Sequence, residues 1–147
     1  MSVDETDEEP QLCYPDSGIL DSSVPLAVRK NYIEAKSVQK KSPNAFALLV
    51  RRALEAICDD KGVASNKPLK QRLDSMAAQG IIPPTLAEVT GILRILGNAG
   101  AHNSPKDVTI PQTWRIEKLF RAIVEYVYIA PKMVADAKKS IAKPPEI

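Results

Sequence analysis

Apolar positions recur along the chain every three or four residues with almost no period-two alternation, a pattern that predicts amphipathic helices and no sheet. Val28, Tyr32, Ala35 and Val38 form the first stripe, on a helix opened by Ser23 and Pro25 and running to about Lys40. Ser42 and Pro43 open a second helix whose stripe is Phe46, Leu49, Val50, Ala53, Leu54 and Ile57, stopped by Gly62. Leu69, Leu73 and Met76 mark a shorter helix ending at Gly80. A fourth is predicted over 85–102. Thr85 and Glu88 have capping-box spacing behind Pro83-Pro84, and Gly100 followed by Asn103-Ser104-Pro105 marks its end. Pro111 starts a long fifth helix, with Trp114, Leu119, Ile123 and Tyr126 inward, as far as about Ala130, where Pro131 kinks or ends it.

Five helices with short connections and no internal repeat define an all-α bundle, placed at residues 23–131. Before it lies an acidic stretch, 1–22, read as a disordered tail. After it lies a Lys-rich extension, 132–147, whose short helix would fray into Lys143-Pro144-Pro145. With 147 residues, 44% hydrophobic and 26% charged, the chain has the core of one ordinary domain.

The net charge of +2 hides an asymmetry: residues 1–21 hold seven acids and no Lys or Arg, so residues 22–147 carry 20 cations against 11 acids, a net of +9. A basic body suits an anionic partner. No run approaches the roughly 18 apolar residues of a membrane span, and the acidic start lacks the features of a signal peptide, so a cytoplasmic protein without membrane contact is expected. Cys13 and Cys58 provide neither a disulfide framework nor metal-ligand spacing, and with a single histidine neither a metal site nor a cofactor is expected.

The candidate chemistry lies on the fourth helix. At 100° per residue, Arg94, Asn98 and His102 fall within about 80° of arc, while Leu86, Val89, Ile92, Leu93, Ile95, Leu96 and Ala99 fill the opposite half. The rest of the polar arc is small: Thr90, Gly91, Gly97 and Ala101. That leaves room for another helix or a phosphate. Histidine titrates near neutrality and arginine is a bidentate phosphate clamp, so the trio is a candidate for catalysis or phosphate binding. Near a helix end, Asn98 and His102 could equally serve as backbone caps. A second candidate is Arg51, Arg52 and Glu55 on the second helix: an Arg51–Glu55 pair at i, i+4 is an ordinary intrahelical ion pair, unless one arginine turns outward to complete the first site.

The stretches Pro25 through Glu34-Ala35, "RRALEAICDDKGV" at 51–63 and "ILRILGNAGAH" at 92–102, in this order, resemble the HEPN superfamily of helical bundles, and within it the prokaryotic branch called domain of unknown function four-one-four-five. The resemblance spans roughly residues 14–130. It implies an α-helical bundle that often forms a homodimer, among proteins near restriction, toxin–antitoxin and anti-phage functions, where a defence-system protein is an expected partner. Active members of the superfamily are metal-independent ribonucleases whose motif is an arginine, a polar residue, three further residues and a histidine. Asn98 and His102 match the last two, but Gly97 stands where the arginine is expected; Arg94 lies one turn earlier on the same face.

Three functions follow as expectations. A dimeric nucleotide- or RNA-binding module needs Arg94, Gly97 and the basic residues Arg51 and Arg52. A metal-independent endoribonuclease needs Arg94, Asn98 and His102. A structural dimerisation or adaptor domain needs the small-residue face buried.

Overall fold

The computed structural model describes residues 17–63, 65–93 and 107–142. Among them there is no strand, and five helices have ten residues or more, so the fold is an all-α bundle. It starts earlier than the sequence indicates: α1 (Ser17–Leu20) is a helical turn, and Ile19 is buried in the core.

Helix α2 (Leu26–Val38) has Pro25 as its N-cap residue and buries Val28, Tyr32 and Ala35. Helix α3 (Pro43–Asp60) begins where Ser42 Oγ accepts the Ala45 N–H at 3.2 Å, and buries Phe46, Val50, Ala53, Leu54 and Ile57. Its stop is a Schellman motif: Gly62 takes φ 73°, its N–H reaches Asp59 O at 3.1 Å, and the Val63 N–H reaches Cys58 O at 3.0 Å. Helix α4 (Leu69–Ala78) ends the same way at Gly80, with φ 76°. These boundaries agree with the sequence reading because each depends on local chemistry.

The fourth predicted helix begins differently. Pro83 and Pro84 pull the start forward, so Thr85 sits inside α5 (Pro84–Ala87) and Glu88 becomes its C-cap; no capping box forms. A turn at Glu88 separates α5 from α6, helical over 89–93. The offset turns the face. Thr90, expected on the polar arc, is buried with its hydroxyl donating to Ala87 O at 3.0 Å, while Ile92 is 42% exposed. The predicted remainder of this helix, 94–102, lies outside the described residues.

Helix α7 (Ile110–Val124) starts on a capping box between Thr109 and Gln112. Its buried stripe is Thr113, Ile116, Glu117, Phe120, Arg121, Ile123 and Val124. Ile123 is buried as predicted and Leu119 packs half-buried against the core, whereas Trp114 is only half-buried and Tyr126 is 47% exposed, which corrects part of the predicted inward face. Pro131 does not end the helix. A π-helical turn, Glu125–Ile129, precedes it, with the Ala130 N–H bonded to Glu125 O. The wider turn gives the proline ring the room that an α-helical carbonyl four residues back would deny it, and α8 (Ala130–Ala142) continues beyond. Along α8 Met133, Val134 and Ile141 are exposed.

Helix α3 is central, packed against α2, α4 and α7, and α5 joins α4 to α7. Phe46, Leu54, Ile57, Leu73, Met76, Ile116, Phe120 and Ile123 fill the core, each contributing roughly 1.5–3 kcal/mol by leaving water.

The seam between α2 and α7 is polar. Glu117, 2% exposed, accepts from Tyr32 Oη at 2.8 Å, from Lys36 Nζ at 3.2 Å, from Gln39 Nε2 at 3.2 Å and from Arg121 Nε at 3.4 Å. Arg121 Nη2 donates to Tyr32 Oη at 2.6 Å, and the Tyr32 ring stacks on Phe120 with centroids 5.9 Å apart. Gln39 also donates to Thr113 Oγ1, which donates in turn to Ile110 O. Each of these buried groups has a partner, as burial requires.

Candidate functional site

Arg94, Gly97, Asn98 and His102 lie outside the described residues, within the segment 94–106. One described end of that segment bonds to α3, and the other lines a cavity that α3 also lines. At one end Leu93, 4% exposed, shares a cavity wall with Arg51. At the other, the Val108 N–H donates to Asn44 Oδ1 at 2.9 Å, and Asn44 Nδ2 donates to Asp107 Oδ1 at 3.3 Å. Asn44 and Arg51 are seven residues apart, hence about 10 Å along α3 and within about 20° of one face. Leu48, between them on that face, is 59% exposed.

The cavity measures about 530 Å³, and its described lining comes from three elements. Arg51 comes from α3; Pro68, Leu69, Lys70 and Gln71 open α4; Thr90, Gly91 and Leu93 belong to α6. The sequence explains the α4 wall. Pro68 is an N-cap without a side-chain cap, and the first amide to bond back into the helix is that of Arg72, to Pro68 O at 3.1 Å. The amides of residues 69–71 therefore begin the helix without intrahelical acceptors and carry its partial positive charge.

The electrostatics are one-sided. The described lining holds two cations and no carboxylate. Among the described residues no ion pair joins Arg51 to Glu55, so the intrahelical pairing open to it in sequence is not made. Lys70 lies 3.6 Å from Asp74, but both side chains are more than half exposed, and such a pair holds its cation by less than about 1 kcal/mol. Arg52 is exposed and Glu55 half-buried, and neither lines the cavity. Of the predicted site residues, the structure thus brings Arg51 to the root of the motif segment. Gln71 and the cavity itself were not legible in sequence; Gly91 was, as a small residue beside the trio. Among the described residues a Cβ at Gly91 would meet nothing within 4 Å.

Elsewhere the titratable groups serve the interior. Cys58 is fully buried, 3.6 Å from Met76 Sδ, and burial pushes its thiol up to about 11, which suppresses the thiolate a nucleophile needs. Tyr128 donates to Asp60 Oδ2 at 2.8 Å, and burial, followed by that bond, raises its phenol well above the usual range. Arg72 bonds Asp59 and, at 3.0 Å, Val63 O, closing the end of α3. Among the described residues no cluster of three or more His, Cys, Asp or Glu could hold a metal ion, and no helix is long and apolar enough to cross a membrane.

A family model described as a domain of unknown function (DUF4145) matches residues 33–143. Comparison with curated proteins and with solved structures gives no match.

Proposed function

The chain belongs to the family of domain of unknown function DUF4145, and from that premise we propose that it is a HEPN-like, dimeric RNA- or nucleotide-binding module of a prokaryotic defence or toxin-type system. One observation carries the reading: the cation that borders the root of the motif segment, Arg51, has no carboxylate partner among the described residues and shares its cavity with Lys70. A guanidinium beside an ammonium suits a phosphodiester, the first gripping two oxygens and the second acting as a point charge. Arg94 and His102 would extend the same contact along the backbone of a single strand.

The position of Arg51 also favours a second reading, cleavage. Gly97 occupies the place of the motif arginine, and Arg51 enters from α3 as a substitute charge. In that reaction the 2′-hydroxyl oxygen attacks phosphorus and gives its proton to the imidazole of His102. The bond to the 5′-oxygen breaks, and the leaving oxygen takes a proton from the imidazolium of the second protomer, leaving a cyclic phosphate.

Fluorescence anisotropy of labelled RNA over a salt series tests the first reading. Wild type binds with strong salt dependence; Arg51→Ala weakens binding and lowers the slope by about 1, while His102→Ala retains it. Failure of wild type to bind either RNA or a labelled nucleotide at low salt overturns the module. Gel analysis in EDTA tests the second: cyclic-phosphate ends from wild type and none from His102→Ala support it, and equal products from both remove it.

A further inference from the structure

The geometry points to the cavity between α3, α4 and α6 as a binding site for a small amphiphilic anion, its apolar body inside and one carboxylate or phosphate group at the rim between Arg51 and Lys70. This goes beyond RNA binding and does not depend on it, because such a ligand fills a cavity and leaves the Asn44–Leu48 face uncovered.

Size, wall chemistry and an unfilled wall position support the site. The volume, about 530 Å³, lies within the range of small-molecule pockets. The buried part of the described wall is mostly apolar: Leu69 and Leu93 are 5% and 4% exposed, with Thr90 as its one buried polar side chain. The charges of the described lining are both positive and both on exposed residues, Arg51 and Lys70, so they lie at the opening and not among the buried residues. That division fits an amphiphile and fits neither a bare inorganic ion nor a neutral apolar molecule. The Thr90 hydroxyl spends its proton on Ala87 O, so the one buried polar side chain of the described wall has a partner within the fold.

Gly91 makes the space informative. Its backbone is helical without a positive φ, and a Cβ built there meets no atom of the described residues within 4 Å. Among the described residues neither backbone conformation nor close packing demands glycine, although glycine is the poorer helix former. What the missing side chain leaves is cavity, one turn before the motif segment.

The test is thermal unfolding and isothermal titration of wild type, Gly91→Met and Arg51→Ala with sodium decanoate and, separately, with AMP, against sodium chloride of equal ionic strength. Wild type is expected to bind one of the probes saturably and gain in Tm. Decanoate alone identifies a carboxylate amphiphile and AMP alone a nucleotide; both support the site. Arg51→Ala weakens binding by ~10-fold, the loss of a charge-assisted contact. Gly91→Met fills the space, abolishes binding, and unfolds without ligand at a Tm no lower than wild type. Binding of neither probe, or equal binding by Gly91→Met, overturns the site. RNA anisotropy on the same proteins separates the two readings: Gly91→Met that loses the small anion and keeps RNA leaves the module standing, and wild type that binds decanoate but neither AMP nor RNA removes only the module.

Discussion

Two regions treat charge in opposite ways. In the α2–α7 seam, Glu117 lies 2% exposed amid Tyr32, Lys36, Gln39 and Arg121, and its two oxygens accept from all four. At the cavity, Arg51 and Lys70 stand on the rim with no carboxylate in the described lining. A buried charge must be answered inside the fold, because water no longer answers it. A rim cation carries no such demand and remains available to a ligand. The seam therefore bears on stability and the cavity on binding, and substitutions should separate the two.

The largest separation is expected from Glu117→Ala. It leaves Arg121 and, in part, Lys36 as cations in the interior without their shared carboxylate, a loss of about 3–5 kcal/mol in urea unfolding followed by circular dichroism. Arg51→Ala, at an exposed position, should change stability by less than about 0.5 kcal/mol while weakening anion binding. Equal losses in the two variants would erase the distinction.

The seam also shows where the sequence was and was not legible. Helix ends could be read at Ser42, Gly62 and Gly80, which act through bonds to neighbours within a few residues, while the capping box of Thr109 and Gln112 was missed behind Pro111. The inward face of α7 could not. Glu117 and Arg121 carry the charges that mark a solvated arc, and only the approach of Tyr32 and Gln39, some 80 residues away, makes their side inward. Tyr126, apolar enough to suggest core, is turned outward in consequence, and Trp114 is left half-buried. The break at Glu88 was missed for another reason: two consecutive prolines shift the helix start, so a capping-box spacing falls on the wrong positions. At the site, Arg51 was legible as an arginine in a basic stretch, but its neighbours in space, Lys70 and Gly91, come from two other helices.

Alkaline pH gives a second, smaller separation. Below pH about 9 the Cys58 thiol is protonated in both the folded and the unfolded chain and adds no pH dependence. Between about 9 and 11 the unfolded chain releases a proton that the folded one retains, so stability falls as pH rises, by roughly 1.4 kcal/mol per pH unit. Tyr128, raised by burial and by its bond to Asp60, acts with the same sign. Urea midpoints at pH 8.5 and 10 should therefore drop for wild type and drop less for Cys58→Ala. An unchanged slope in the variant would mean that the thiol meets water in the native state. Arg51→Ala should leave the slope as in wild type, because the rim belongs to solvent at every pH.

The smallest effect has the opposite sign. Gly91→Ala adds a methyl group to a helical residue with open space around it, so the unfolded chain loses conformational freedom and the folded one suffers no clash. Stability should rise by about 0.5–1 kcal/mol, read as a higher urea midpoint at constant m-value. In the seam no substitution is expected to stabilise by simple addition, because its groups already touch. A stabilised Gly91→Ala would show that the cavity wall is not optimised for folding alone, in contrast to the α2–α7 seam. A destabilised one would mean that segment 94–106 packs against Gly91, and the cavity would then belong to the fold.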